Sequence, residues 1–176
     1  DYASGFCVFN DFAIAAKRAV ARGKRVAILD LDVHHGDGIE AMVAELPEVL
    51  TFSIHRHDLF PGTGQASIPE HHAYNVPLRA SEYDTVSLLH HIQEFAQLAK
   101  EFGADIIFVA AGADTHPSDP MMRTAPRAGE AKPRGWNERT MHMGARDLRR
   151  HLPTHPILVG GAGGYRPKDG TPLVWS

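Results

Sequence analysis

Three short apolar runs, each ending in polar chemistry, set the pattern of this chain. Val26-Ala27-Ile28-Leu29 leads into Asp30-Leu31-Asp32-Val33-His34-His35-Gly36-Asp37-Gly38. Ile106-Ile107-Phe108-Val109-Ala110-Ala111 leads into Gly112-Ala113-Asp114, and Ile157-Leu158-Val159 leads into Gly160-Gly161-Ala162-Gly163-Gly164-Tyr165. Short runs that are apolar at every position predict strands buried on both faces, as in a parallel sheet. Val49 to Ile54 predicts a further strand.

Between the strands the apolar positions follow helical spacing. Asn10 or Asp11 can cap a helix from Phe12 to about Arg22. Its last turn carries Lys17, Arg18 and Arg22, and Gly23 suits the left-handed closing position. A second helix runs from about Gly38 to Leu46 and stops before Pro47. Ser81 and Asp84 form a start resembling a capping box, and Leu88, Ile92, Phe95, Ala99 and Phe102 then share one face up to Gly103. Asn137 can cap a helix with Met141, Ala145, Leu148 and Leu152 on one stripe. The spans from His55 to Pro77 and from Thr115 to Trp136 read as long connections, a length that in a compact domain points to function or disorder. Strands alternating with helices predict a single α/β domain, a parallel sheet flanked by helices, over residues 1–176.

Composition changes this picture little. With 176 residues, 43% of them hydrophobic, the chain is long enough for one core. A formal net charge of -3 and the lack of a basic patch argue against direct nucleic-acid binding. No apolar run is long enough to cross a membrane. A homo-oligomer is compatible with the sequence. The single cysteine, Cys7, excludes an internal disulfide and fits a reducing compartment, so a cytoplasmic location and a buried structural thiol are expected. The chain opens on Asp1 rather than Met and closes abruptly on Trp175-Ser176, which reads as a fragment or a processed chain, truncated at both ends.

The chemistry lies at the strand ends. Ligand sites in open α/β sheets sit outside the carboxyl ends of the strands, where all three polar clusters fall. Alternation along an extended strand would put Asp30, Asp32 and His34 on one side and His35 on the other. Asp32, His34 and Asp114 then offer two carboxylates and an imidazole. Three protein ligands with an open position is the arrangement of a catalytic zinc site. Zinc is the expected ion, although this oxygen and nitrogen set would also accept iron or cobalt. Tyr165, after a run of glycines, could donate to a developing oxyanion.

These residues resemble a known family. The stretch from Asp30 to Gly38 is similar to the signature of zinc-dependent histone deacetylases and acetylpolyamine amidohydrolases. Gly5-Phe6-Cys7-Val8-Phe9-Asn10-Asp11, Phe60-Pro61-Gly62-Thr63-Gly64, Tyr74-Asn75-Val76-Pro77-Leu78, Ala111-Gly112-Ala113-Asp114 and Gly163-Gly164-Tyr165 also match, in the family's order. The resemblance implies the arginase–deacetylase α/β fold, here incomplete. It implies zinc-dependent hydrolysis of an acetylated amine, either an acetyl-lysine peptide or a small acetylated amine such as an acetylpolyamine, to acetate and free amine. Asp32, His34 and Asp114 would hold the zinc, and Tyr165 would be the transition-state hydroxyl. Phe6 and Phe60 would wall a narrow tunnel for the aliphatic stem, with Gly164 beside the substrate. Asp30 and Asp37 would orient two catalytic histidines. Asp30, Asp32, His34 and Ser53 would contribute to a site for K+ or another monovalent cation.

The departures from the family pattern define an alternative. The family carries a Gly-His-His-Ala-type pair just before the Gly-Phe-Cys segment, and those histidines supply the general base and acid. This sequence begins too late to contain them. His71-His72 lies where the family has only a loop and is rejected as a substitute. The alternative reading is a non-catalytic fragment that binds a metal or ligand. Gly36 stands where arginases place a further acid, so one metal fits better than two, and His116 is expected to lie outside the ligand set.

Overall fold

The computed structural model describes residues 4–122 and 135–176. Its elements in chain order are α1 (Asp11–Val20), β1 (Val26–Asp30), α2 (Asp37–Val43), β2 (Val49–Arg56), β3 (Ala73–Leu78), α3 (Thr85–Phe102), β4 (Ile106–Ala111), α4 (Glu138–His151), β5 (Ile157–Gly161) and α5 (Thr171–Trp175). The strands form one sheet in the order β3-β2-β1-β4-β5. Every neighbouring pair is parallel. The α/β class and the parallel sheet flanked by helices are therefore as the periodicity implies.

The sheet has an apolar layer on each face because its central strand is apolar at nearly every position. Ala27 and Leu29 point into one core with Phe52, Leu88, Ile92 and Phe95. Val26 and Ile28 point into the other with Phe12, Ala16, Ile39 and Phe108. Alternate side chains of one strand serve opposite cores, so β1 is buried at all five positions. The central position of β1 brings the ends of β1 and β4 side by side.

The capping chemistry resolves two open choices. Asn10, not Asp11, accepts the N–H of Ala13 at the start of α1. Asp84 caps α3 by accepting from Ser87, while Ser81 falls in a separate short turn at Ala80–Glu82. Gly103 closes α3 in the left-handed conformation, with φ of 72°.

Several expectations are corrected. The connection from His55 to Pro77 is not one loop, because β2 continues to Arg56 and β3 occupies Ala73–Leu78. Pro77 is tolerated because β3 is an edge strand that needs donors on one side only. The stripe of α4 is rotated. Ala145 is exposed, and Gly144 is buried where a Cβ would stand 3.0 Å from Ile92 and Leu88, so the missing side chain lets α4 approach α3 closely. Cys7 is exposed rather than buried. Of the connection from Thr115 to Trp136, residues 123–134 lie outside the described residues. Its far end is anchored by Trp136, fully buried with its ring 4.7 Å from that of Tyr83. Among the described residues no helix is long and apolar enough to cross a membrane.

Candidate metal centre

β1 ends at Asp30, and the residues beyond it turn rather than extend. Strand alternation therefore does not carry past Asp30, and Asp32 and His34 converge by another route. The Asp32 N–H donates to Asp30 Oδ1 at 3.0 Å, and the His34 N–H donates to Asp32 Oδ1 at 2.9 Å. Each aspartate thus binds the backbone two residues on, a local turn that this residue type favours. Asp114 arrives from a short turn after β4, where its Oδ1 accepts the Val33 N–H at 3.1 Å. The loop after β5 closes the group from above, with Gly163 N–H donating to Asp32 Oδ2 at 2.6 Å.

These contacts bring three ligand-type atoms together. His34 Nδ1 lies 3.0 Å from Asp32 Oδ1 and 3.2 Å from Asp114 Oδ2. One donor atom from each residue lies within 4.8 Å of the others. Asp114 is fully buried, and its Oδ2 makes no hydrogen bond despite that proximity. A buried carboxylate oxygen without a donor is costly unless a cation sits against it. Two carboxylates and one imidazole of this kind fit a divalent cation.

The electrostatics agree. Burial, followed by the charge of Asp32, raises the Asp30 carboxyl to about 8. The same two causes raise Asp114 to about 7. Burial also opposes ionisation of Asp32, but hydrogen bonding from His34 outweighs it and holds that carboxyl below the usual range. Burial disfavours the His34 imidazolium, yet the neighbouring carboxylates of Asp114 and Asp32 raise it to about 10. Three acids crowd one imidazole, so the pocket selects positive charge.

The glycines around the pocket are sterically required. A Cβ at Gly163 would collide with the Asp114 carboxylate and come within 2.7 Å of Asp32 Oδ2, and one at Gly112 would strike the backbone of Asp32. Gly163→Ala is therefore expected to weaken divalent-metal affinity at least about tenfold, as displaced ligand geometry commonly does. Elemental analysis of the purified variant checks this. Undiminished metal content would mean that the loop after β5 yields freely.

Tyr165 follows those glycines. Its N–H donates to Asp119 Oδ2 at 2.8 Å, and its ring centroid is 5.7 Å from that of Phe6. Burial, then the charges of Asp114 and Asp32, pushes its hydroxyl up to about 12, so the phenol stays protonated at neutral pH and can donate. Phe6 and Phe60 are 83% and 56% exposed, and a Cβ on Gly5, next to Phe6 in the chain, would lie 3.7 Å from the Phe60 ring. Gly164 packs beside Thr171, which leaves no space for a side chain. Asp37 is exposed in the first turn of α2, where its carboxylate accepts from the Gly38 N–H.

The remaining histidines separate cleanly. His35 turns away, as the sequence implies, with Nδ1 2.9 Å from Thr63 Oγ1 and Nε2 3.3 Å from Glu40 Oε2. His71 contacts the Ala44 carbonyl, and His72 packs on Phe102. Both precede β3, at the end of the sheet away from the pocket. His116 bonds Ser118 and pairs with Glu138, outside the cluster.

Sequence reasoning missed three supporting residues. Asp119 is buried and accepts the N–H groups of both Tyr165 and Met121, tying two loops together. Glu40 joins His35 to Asn75, whose amide donates to it at 2.7 Å. His55 is fully buried between Ser53 Oγ and the Gly64 carbonyl. Periodicity could not find them, because each also binds a partner outside its own element: Tyr165 for Asp119, Asn75 for Glu40 and Gly64 for His55.

His55 makes stability depend on pH. Burial, then the charge of His35, lowers its imidazole from the ordinary 6.5 to about 4. The unfolded chain binds the proton more tightly than the folded one, so His55 lowers stability as pH falls from 6.5 toward 4 and has no such effect above 6.5. Denaturant unfolding of the wild type and of His55→Asn across that window checks this. The variant is expected to lose less stability on acidification, and parallel curves would rule His55 out.

Comparison with known proteins gives the family. The histone deacetylase domain model matches residues 1–175. The chain belongs to the histone deacetylase family. Within this family, acetoin utilization protein AcuC of Bacillus subtilis is 37% identical over 127 residues, covering 68% of this chain and 33% of the relative. Histone deacetylase 14, chloroplastic, of Arabidopsis thaliana is 37% identical over 124 residues, covering 66% and 29%. The HD domain of HDA15 superposes with a TM-score of 0.79 at 27% identity, covering 98% of this chain and 51% of that structure. This histone deacetylase family chain therefore spans between 29% and 51% of the length of these three proteins.

Proposed function

We propose that this chain carries the metal-binding part of a zinc-dependent deacetylase that hydrolyses an acetylated amine, acetyl-lysine in a peptide or a small acetylpolyamine, to acetate and free amine. The observation that carries the reading is the convergence of Asp32, His34 and Asp114 at the ends of β1 and β4, in a chain that matches the deacetylase family. Zinc, when bound by these three, supplies Lewis acidity and lowers the pKa of a bound water.

The chain's own residues would do the rest. Phe6 and Phe60 present two aromatic faces at the rim, suited to gripping a methylene stem. Gly164 keeps backbone close to that path. Tyr165, held by Asp119 and kept protonated, would donate its hydroxyl hydrogen to the oxygen that gains charge as the amide is attacked. Asp30 and Asp37 would orient the family's catalytic histidines. Asp30 and Ser53, together with Asp32 and His34, would serve the neighbouring K+ site. A cytoplasmic location is proposed on the strength of the single free thiol, Cys7.

One observation favours a second reading, a metal-binding unit without hydrolytic activity. His71 and His72 lie at the end of the sheet away from the pocket, too far to act as its general base. Acetate release from an acetyl-lysine peptide and from an acetylated polyamine separates the two. Zinc-dependent release, abolished by a chelator and restored by zinc, supports the deacetylase. Zinc bound at the Asp32, His34 and Asp114 cluster with no release from either substrate supports the second reading.

A further inference from the structure

A second group of metal-binding side chains lies on the outer surface of α3, away from the pocket already described. His90, His91 and Glu94 each offer a ligand atom within 4.8 Å of the others. Their spacing explains this. Residues three and four apart on a helix share a face, so Glu94 is reached from both histidines at once. His91 Nδ1 lies 2.6 Å from Glu94 Oε2, and His90 Nε2 lies 3.5 Å from Glu94 Oε1. The two rings meet edge to face, with centroids 5.0 Å apart. An isolated histidine–glutamate pair would be an ordinary exposed side-chain contact. Two imidazoles sharing the two oxygens of one carboxylate are a ligand set.

We propose that His90, His91 and Glu94 form a surface site for a divalent transition metal. Around a four-coordinate zinc, with bonds of about 2.0–2.1 Å, ligand atoms stand about 3.3 Å apart. The observed separations bracket that value. The His90 and Glu94 side chains are 64% and 46% exposed, so small side-chain rotations can close the set. The His91 side chain is only 16% exposed and anchors it. The ion replaces the hydrogen of the His91–Glu94 bond and leaves a fourth position for water. Imidazole nitrogens select zinc, copper, nickel or cobalt over magnesium or calcium, which prefer all-oxygen shells. Glu94 also lines a cleft of about 360 Å³ with Tyr74, Val76, Gln97 and Leu98. A bound ion would stand beside that cleft, on the side of the molecule that carries the edge strand β3.

Zinc titration of the protein by calorimetry at neutral pH, repeated with excess magnesium present, tests the proposal. Two binding events of different affinity are expected, both insensitive to magnesium. In the His90→Ala, His91→Ala double variant the weaker event should lose at least tenfold in affinity while the tighter one persists. Asp114→Ala should do the reverse. Glu94→Gln, which keeps the shape of the side chain, should also weaken the second event, and circular dichroism confirms that each variant folds. A single event in the wild type, or a weaker event unchanged by the double substitution, would overturn the surface site. Loss of the tighter event alone bears on the buried centre and leaves this site standing.

Discussion

On the proposed function, Asp114→Ala is expected to abolish tight zinc binding at this cluster and with it essentially all acetate release. Asp114 is the fully buried member of the cluster, and its Oδ2 has no hydrogen bond to replace a cation. The substitution takes one of two carboxylates from the ligand set and leaves Asp32 with His34. It also frees the Val33 N–H, which Asp114 Oδ1 holds at 3.1 Å, so the turn after β1 loses a support. A metal contributes several kcal/mol of charge stabilisation, so its loss corresponds to a rate decrease on the order of a thousandfold or more. Elemental analysis and acetate release are measured on the same preparation. A variant that kept the tighter of the two zinc-binding events would show that Asp114 is a structural acid and not a ligand. Asp114→Asn separates charge from shape, since the amide can still accept from Val33 but brings no negative charge to the ion.

Tyr165→Phe is expected to lower turnover roughly a hundred- to a thousandfold while leaving metal content unchanged, the usual cost of one oxyanion donor. The Tyr165 backbone is pinned by Asp119 and its ring lies against Phe6, so removal of the hydroxyl should not move the ring. The hydroxyl is held above its ordinary pKa, at about 12, so it stays protonated at neutral pH. Loss of turnover at constant Michaelis constant is the signature of an interaction made only in the transition state. Wild-type turnover in Tyr165→Phe would reduce Tyr165 to a packing residue at the rim.

Much of the fold is legible in the apolar pattern. β4 is apolar throughout and β1 is apolar up to its last residue, Asp30, because each is buried on both faces, and such strands announce themselves. β5 and the long connection were read less completely. β5 extends into Gly160 and Gly161, where small residues admit Phe12 and Trp175, and glycine carries no strand signal. β3 was missed because an edge strand is only half-buried and contains Pro77. Its register comes from pairing with β2, a contact between segments over twenty residues apart.

The sequence by itself determined the class of the protein and the identity of its candidate ligands. Acids and histidines placed directly after apolar runs have no packing role there, so Asp32, His34, Asp114 and Tyr165 stand out from one dimension alone. Only the tertiary structure decided how they meet. Strand alternation would have aligned Asp32 and His34, but β1 stops at Asp30 and two side-chain-to-backbone turns do the aligning instead. The placement of Asp114 against Val33, of Gly163 against Asp32, and of Asp119 beneath Tyr165 joins residues about 46 to 131 positions apart. Such contacts depend on which strands become neighbours in the sheet, and local preference carries no information about that.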